Sequence, residues 1–80
     1  MAKNPAAERI ALNVSQAIVI AGKSKNWLAE DSGIPYSTLG RKLKGDTEFT
    51  ITEILAVAES LGIHPSRLLT PEFGVRAAAA

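Results

Sequence analysis

The residues able to do chemistry in this chain are mostly basic or hydroxyl-bearing, and they crowd into one stretch. Between Lys23 and Lys44 stand Lys23, Lys25, Arg41, Lys42 and Lys44, against only Glu30 and Asp31, a local net charge of +3. Interleaved with them are Ser24, Asn26, Tyr36, Ser37 and Thr38, with Thr47 just beyond. From Gly45 onward the balance reverses to −3, and the first 22 residues carry +1. An uneven distribution of this kind suggests a surface that faces an anion; the bland alternative is a solvated face. Other chemistry is short of material. The chain holds one His, no Cys and no acidic cluster. That excludes a disulfide framework and a thiolate zinc site, and leaves no nucleophile beside a base. No catalysis, no metal and no cofactor are expected. His64, directly before Pro65, reads as a turn or helix-capping residue.

Eighty residues, 46% hydrophobic and 21% charged, with a net charge of +1, describe one folded domain. A chain of this size buries roughly 60% of its unfolded surface, so its core is small. No apolar run reaches the ~20 residues of a membrane helix. The opening Met-Ala-Lys-Asn-Pro lacks the apolar stretch of a signal peptide. A small secreted domain would need staples that this one lacks, so a cytoplasmic home is expected. The domain is placed at 1–73, and the Ala-rich 74–80 as a frayed tail.

The elements that must position the basic stretch read as helices. Asn4 is a candidate N-cap with Pro5 at the first helical position. Ile10, Val14, Ala17, Ile18 and Ala21 then mark one helical face, which Gly22 ends. Leu12, Val19 and Ile20 lie off that stripe, either as rim or as a dimer surface. Ser24 caps a short second helix through Asp31, and Ser32-Gly33-Ile34 breaks it. Pro35 starts a third helix to about Lys44, with Leu39 and Leu43 as its buried side. Thr50-Ile51-Thr52-Glu53 has capping-box spacing. The fourth helix carries Ile54, Leu55, Ala58 and Leu61, and Gly62 stops it. His64-Pro65-Ser66 opens a last short helix with Leu68 and Leu69, closed by Thr70-Pro71. Phe49 and Phe73 are expected to cover the core. No stretch alternates as a strand would.

Residues 24–44 have the layout of a helix-turn-helix. Ala29 is small where two helices cross, Gly33 sits at the turn, and Ile34 and Leu39 pin the second helix to the core. A side chain at Gly33 would cost about 1 kcal/mol or more if that position has positive φ. With Leu28-Ala29, Gly33-Ile34, Ser37-Thr38-Leu39 and Arg41, this stretch resembles the helix-turn-helix of the phage repressor and Cro family, the Xre-like regulators. The likeness continues through Leu55, Ala58 and Leu61-Gly62-Ile63 to Arg67-Leu68-Leu69. It implies an all-α, compact five-helix lambda-repressor-like DNA-binding domain, commonly acting as a dimer on two half-sites. The family often has an apolar residue where this chain has Lys42; Leu43, its neighbour, is expected to take the core role.

In this motif the second helix enters the major groove with its N-terminal part nearest the bases. The base-facing candidates are Tyr36, Ser37, Gly40, Arg41 and Lys44. Arg41 leads, because guanidinium pairs bidentately with guanine O6 and N7, worth ~1–3 kcal/mol of discrimination; its alternative is an ion pair with Glu30 or Asp31. Tyr36 suits a thymine methyl or a phosphate. Gly40 allows close approach at a cost in helix propensity. Phosphate contacts are assigned to Ser24, Lys25 and Asn26 at the second helix's N-terminus, where N–H groups and the dipole favour an anion. Thr38, Lys42 and Thr47 complete that set. Trp27 is weighed between stacking on the backbone and packing inside the domain, with packing favoured.

The expected partner is therefore a double-stranded DNA operator, with no membrane and no small-molecule ligand. A homodimer is expected, formed in solution or only on DNA. The expected function is a small transcriptional regulator, repressor or Cro-like, of phage or bacterial origin. A second function class stands beside it: an antitoxin-like or regulatory protein-interaction module on the same fold, suggested by the acidic C-terminal half and by Leu12, Val19 and Ile20.

Overall fold

The computed structural model describes residues 5–70, which form α1 (Pro5–Ala21), α2 (Lys25–Ser32), α3 (Tyr36–Leu43), α4 (Ile51–Leu61) and α5 (Ser66–Leu69), with no strand among them. The expected Asn4 cap, the Phe73 cover and the 74–80 tail lie outside the described residues.

Local signals mark both ends of α2 and α4 and the start of α5. The Ser24 hydroxyl accepts the Trp27 N–H at 3.0 Å and opens α2. Gly33, at φ 84°, closes it in the left-handed conformation that a Cβ disfavours, and donates its N–H to the Ala29 carbonyl. The α4 capping box is complete. Thr50 Oγ1 accepts the Glu53 N–H at 3.1 Å, and Glu53 Oε1 accepts the Thr50 N–H at 2.8 Å. The Nδ1 of His64 accepts the Ser66 N–H at 3.1 Å, so the lone histidine is a turn residue at the α5 start. Pro35 sits one place earlier than expected, as the N-cap of α3 and not its first helical residue, and Pro65 is the N-cap of α5.

The core lies where α1 packs against α3, α4 and α5, and α2 against α3 and α4. Val14, Leu28, Leu39, Val57 and Leu68 are fully buried at its centre. Burial of one such aliphatic side chain contributes roughly 1.5–3 kcal/mol. Ala29 is buried where α2 meets its neighbours, and Phe49 covers the core from the loop before α4.

Several inward positions differ from the expected stripes. On α1 the buried set is Ala7, Ala11, Asn13, Val14, Ala17 and Ile18, while Ala21 is exposed. On α4 Val57 is buried and Leu55 half-exposed. Ile54, Val57, Ala58 and Leu61 follow the i, i+3, i+4, i+7 spacing of one helical face, and Leu55 stands a residue off it. Leu69 is likewise half-exposed, and Leu68 is the buried residue of α5.

Candidate nucleic-acid interface

The α3 helix divides sharply into two sides. Inward, Leu39 is fully buried, and Ile34 just ahead of the helix is also in the core. Outward lie Tyr36, Ser37, Arg41 and Lys44, all exposed, with Gly40 partly exposed between them. At 3.6 residues per turn these five positions share one face of a two-turn helix. Gly40 leaves open space: a Cβ added there meets nothing within 4 Å. Thr38 is half-buried at the edge of this face.

Arg41 makes no ion pair with Glu30, Asp31 or any other described residue. Its guanidinium therefore stands in solvent on the outward side of α3, with its forked donors available. Those donors suit a planar pair of acceptors or a phosphate.

The start of α2 adjoins the start of α3. Lys25 holds its ammonium 5.3 Å from the Tyr36 ring centroid, which ties the two helix beginnings together. Ser24 and Asn26 are exposed beside it, at a helix N-terminus whose first N–H groups lack intrahelical partners. Lys23 lies 4.8 Å from the Trp27 ring. Trp27 itself is half-buried and packs against the core, in line with the packing role favoured for it. Thr47 is exposed in the loop between α3 and α4.

Residues 2–78 match the BetR domain. The chain belongs to the BetR-domain family. Its fold is similar to that of the restriction-modification controller protein C.AhdI from Aeromonas hydrophila, with a TM-score of 0.74 and 26% identity over 78% of this chain and 94% of that one. No curated protein matches the chain. Together these make the BetR domain described here an all-helical, Xre-like helix-turn-helix of a transcription regulator, and not an enzyme. Among its described residues no helix is long and apolar enough to cross a membrane.

One assigned residue of the BetR domain needs correction. Lys42, placed in the phosphate set, is buried. Its Nζ donates to the Glu48 carbonyl at 2.7 Å and lies 2.9 Å from Glu53 Oε1. The reason is helical geometry. Positions 42 and 43 flank Leu39 at about 60° and 40° on its two sides, so both belong to the inward arc. Leu43 does pack against the core, as expected, but Lys42 enters beside it. A methylene stem buries readily while its charged head finds a partner.

Two residues of the BetR domain escaped the sequence reading. Glu53 was legible as a cap but not as the partner of Lys42. Asn13 is buried to 1% exposure inside an otherwise apolar stripe. A polar residue at that spacing is the only sequence signal, and it does not reveal what the side chain reaches.

Proposed function

We propose that this BetR domain binds double-stranded DNA sequence-specifically by laying α3 in the major groove, as a small transcriptional regulator of repressor or Cro-like type from a phage or bacterium. The observation that carries the reading is the exposed Arg41 guanidinium, without an ion pair among the described residues, on the outward face of a helix pinned from behind by Leu39. Arg41 then reads a guanine through O6 and N7. Tyr36, Ser37, Gly40 and Lys44 line the same face as further base-facing positions. Ser24, Lys25, Asn26, Thr38 and Thr47 hold phosphates and set the register without reading sequence. The likeness to a restriction-modification controller supports a regulatory role for this domain. The protein acts in the cytoplasm, where DNA is found in such cells.

A single module of this size covers roughly 600–1,000 Å² of DNA-facing surface. Tight binding therefore calls for two copies on half-sites about one helical turn apart. The modest net charge favours contact through one face over general coating of DNA.

The deciding experiment is a fluorescence-anisotropy titration on a randomised duplex pool, with the bound fraction recovered and sequenced at two salt concentrations. Enrichment of a motif is the expected result, and two-fold symmetry within it supports the dimer. Salt-sensitive binding without enrichment removes sequence reading. The second reading, a protein-interaction module, draws on the exposure of Leu12, Val19 and Ile20 along α1. On that reading Arg41→Ala leaves function intact and Val19→Asp abolishes it.

A further inference from the structure

The α3 helix is only eight residues long, so what holds its far end decides where its outward side chains point. Leu39 anchors its middle. Its last turn is held by Lys42, whose side chain is 10% exposed. Both contacts of the Lys42 ammonium leave the helix. One is the hydrogen bond to the Glu48 carbonyl at 2.7 Å, and the other is the Glu53 carboxylate at 2.9 Å. The Glu53 oxygen that meets Lys42, Oε1, also accepts the Thr50 N–H that closes the α4 capping box. One ammonium thus joins the end of α3, the loop before α4 and the first turn of α4. An apolar side chain would fill the same space, but a cation with two fixed acceptors also imposes a direction.

We propose that Lys42, acting through Glu53, is a positioning residue for DNA reading: it fixes the orientation of the C-terminal half of α3, and with it Arg41 and Lys44, without touching DNA. The proposal rests on the DNA-reading function above. Supporting contacts of this kind matter because a binding constellation must be held to within a fraction of an ångström by residues that do not themselves bind. The two roles open to Lys42 give opposite signs on one substitution. If its ammonium served a phosphate, Glu53 would compete for it, and Glu53→Gln would strengthen DNA binding by removing a nearby negative charge. If Lys42 positions α3, Glu53→Gln weakens binding to the correct sequence although it removes that charge.

The test compares wild type, Glu53→Gln, Lys42→Met, their double variant and Lys42→Arg on two probes. These are the duplex enriched from the randomised pool and an unrelated duplex of equal length. Glu53→Gln and Lys42→Met are each expected to weaken the enriched duplex about tenfold, and the double variant no further, as coupled residues do. Binding to the unrelated duplex stays within about twofold, and the salt slope is unchanged where loss of a phosphate contact would lower it by about 0.9. Lys42→Arg, which keeps the cation, restores most of the affinity. Equal or tighter binding by Glu53→Gln overturns the proposal, as does equal loss on both duplexes with a lower salt slope in Lys42→Met. If Lys42→Met fails to fold, Glu53→Gln and Lys42→Arg carry the comparison, since the Gln oxygen still accepts the Thr50 N–H. If wild type enriches no duplex, the DNA-reading function fails on its own account. Residual dipolar couplings of the free protein then decide the positioning role: a reoriented α3 against an unchanged α4 in Glu53→Gln is expected, and identical couplings overturn it.

Discussion

The Asn13 carboxamide and the Leu68 carbonyl, 55 positions apart in the chain, meet at 2.9 Å between α1 and α5. The same Nδ2 donates to the Thr70 carbonyl at 2.7 Å. Helix C-terminal carbonyls lack intrahelical partners, and α5 is a single turn. Asn13 therefore fastens the end of α5 to α1. The gain is partly offset, because Asn13 Oδ1 is buried without a hydrogen-bond partner among the described residues. Asn13→Ala is expected to lower unfolding stability by about 1–3 kcal/mol in a urea titration. Native-state hydrogen exchange should show faster opening at α5. An unchanged urea midpoint would mean that the two bonds contribute nothing net.

Gly40 tests how closely α3 approaches its target. It is helical, and a Cβ there meets nothing within 4 Å. Gly40→Ala should stabilise the free domain by up to about 1 kcal/mol through helix propensity, seen as a raised Tm. The enriched duplex should nevertheless bind more weakly, because the added methyl stands on the side proposed to face the bases. A variant that is more stable and binds equally well removes Gly40 from that face.

Arg41 and Lys25 should separate in their effects. Arg41→Ala is expected to lose ~1–3 kcal/mol on the enriched duplex and to relax preference at one base pair. Lys25→Ala should weaken enriched and unrelated duplexes alike and lower the salt slope by about one. The loss of its contact with the Tyr36 ring should add a smaller change in preference at the base position proposed for Tyr36. Identical profiles for the two variants would contradict the division between base and phosphate contacts.

Glu53 sets a pH dependence of known sign. Burial pushes its carboxyl up, but the Thr50 N–H, the Lys42 ammonium and the Thr50 side chain together outweigh that, and its pKa falls below the usual 4.5. A carboxylate with a depressed folded-state pKa contributes stability that is fully present above its unfolded value and is lost as pH falls through the folded one. The stability difference between wild type and Glu53→Gln should therefore be constant between about pH 6 and 8 and shrink below about pH 4.5. A difference that grows on acidification would reverse the assigned sign.

Most of the fold was legible because its signals are local. Ser24 with Trp27, Thr50 with Glu53, and the left-handed turns at Gly33 and Gly62 act within one helical turn, so spacing alone reveals them. The outward face of α3 was legible for the same reason: once Leu39 is inward, periodicity places Arg41 outward. Whether Leu55 or Val57 faces the core was not decided by spacing, since either fits a broad apolar stripe and only the direction of packing chooses between them. Lys42 and Asn13 lay wholly beyond the sequence. What a polar side chain does when buried depends on which distant backbone or carboxylate meets it, and those partners are set by how α3 sits on α4 and α1 on α5. The chain's own residues thus determined where its helices begin, end and turn, because those interactions run between near neighbours. Only the tertiary structure decided which of its charges remain free for a partner, because a charge that finds its counterion across the fold is no longer available outside it.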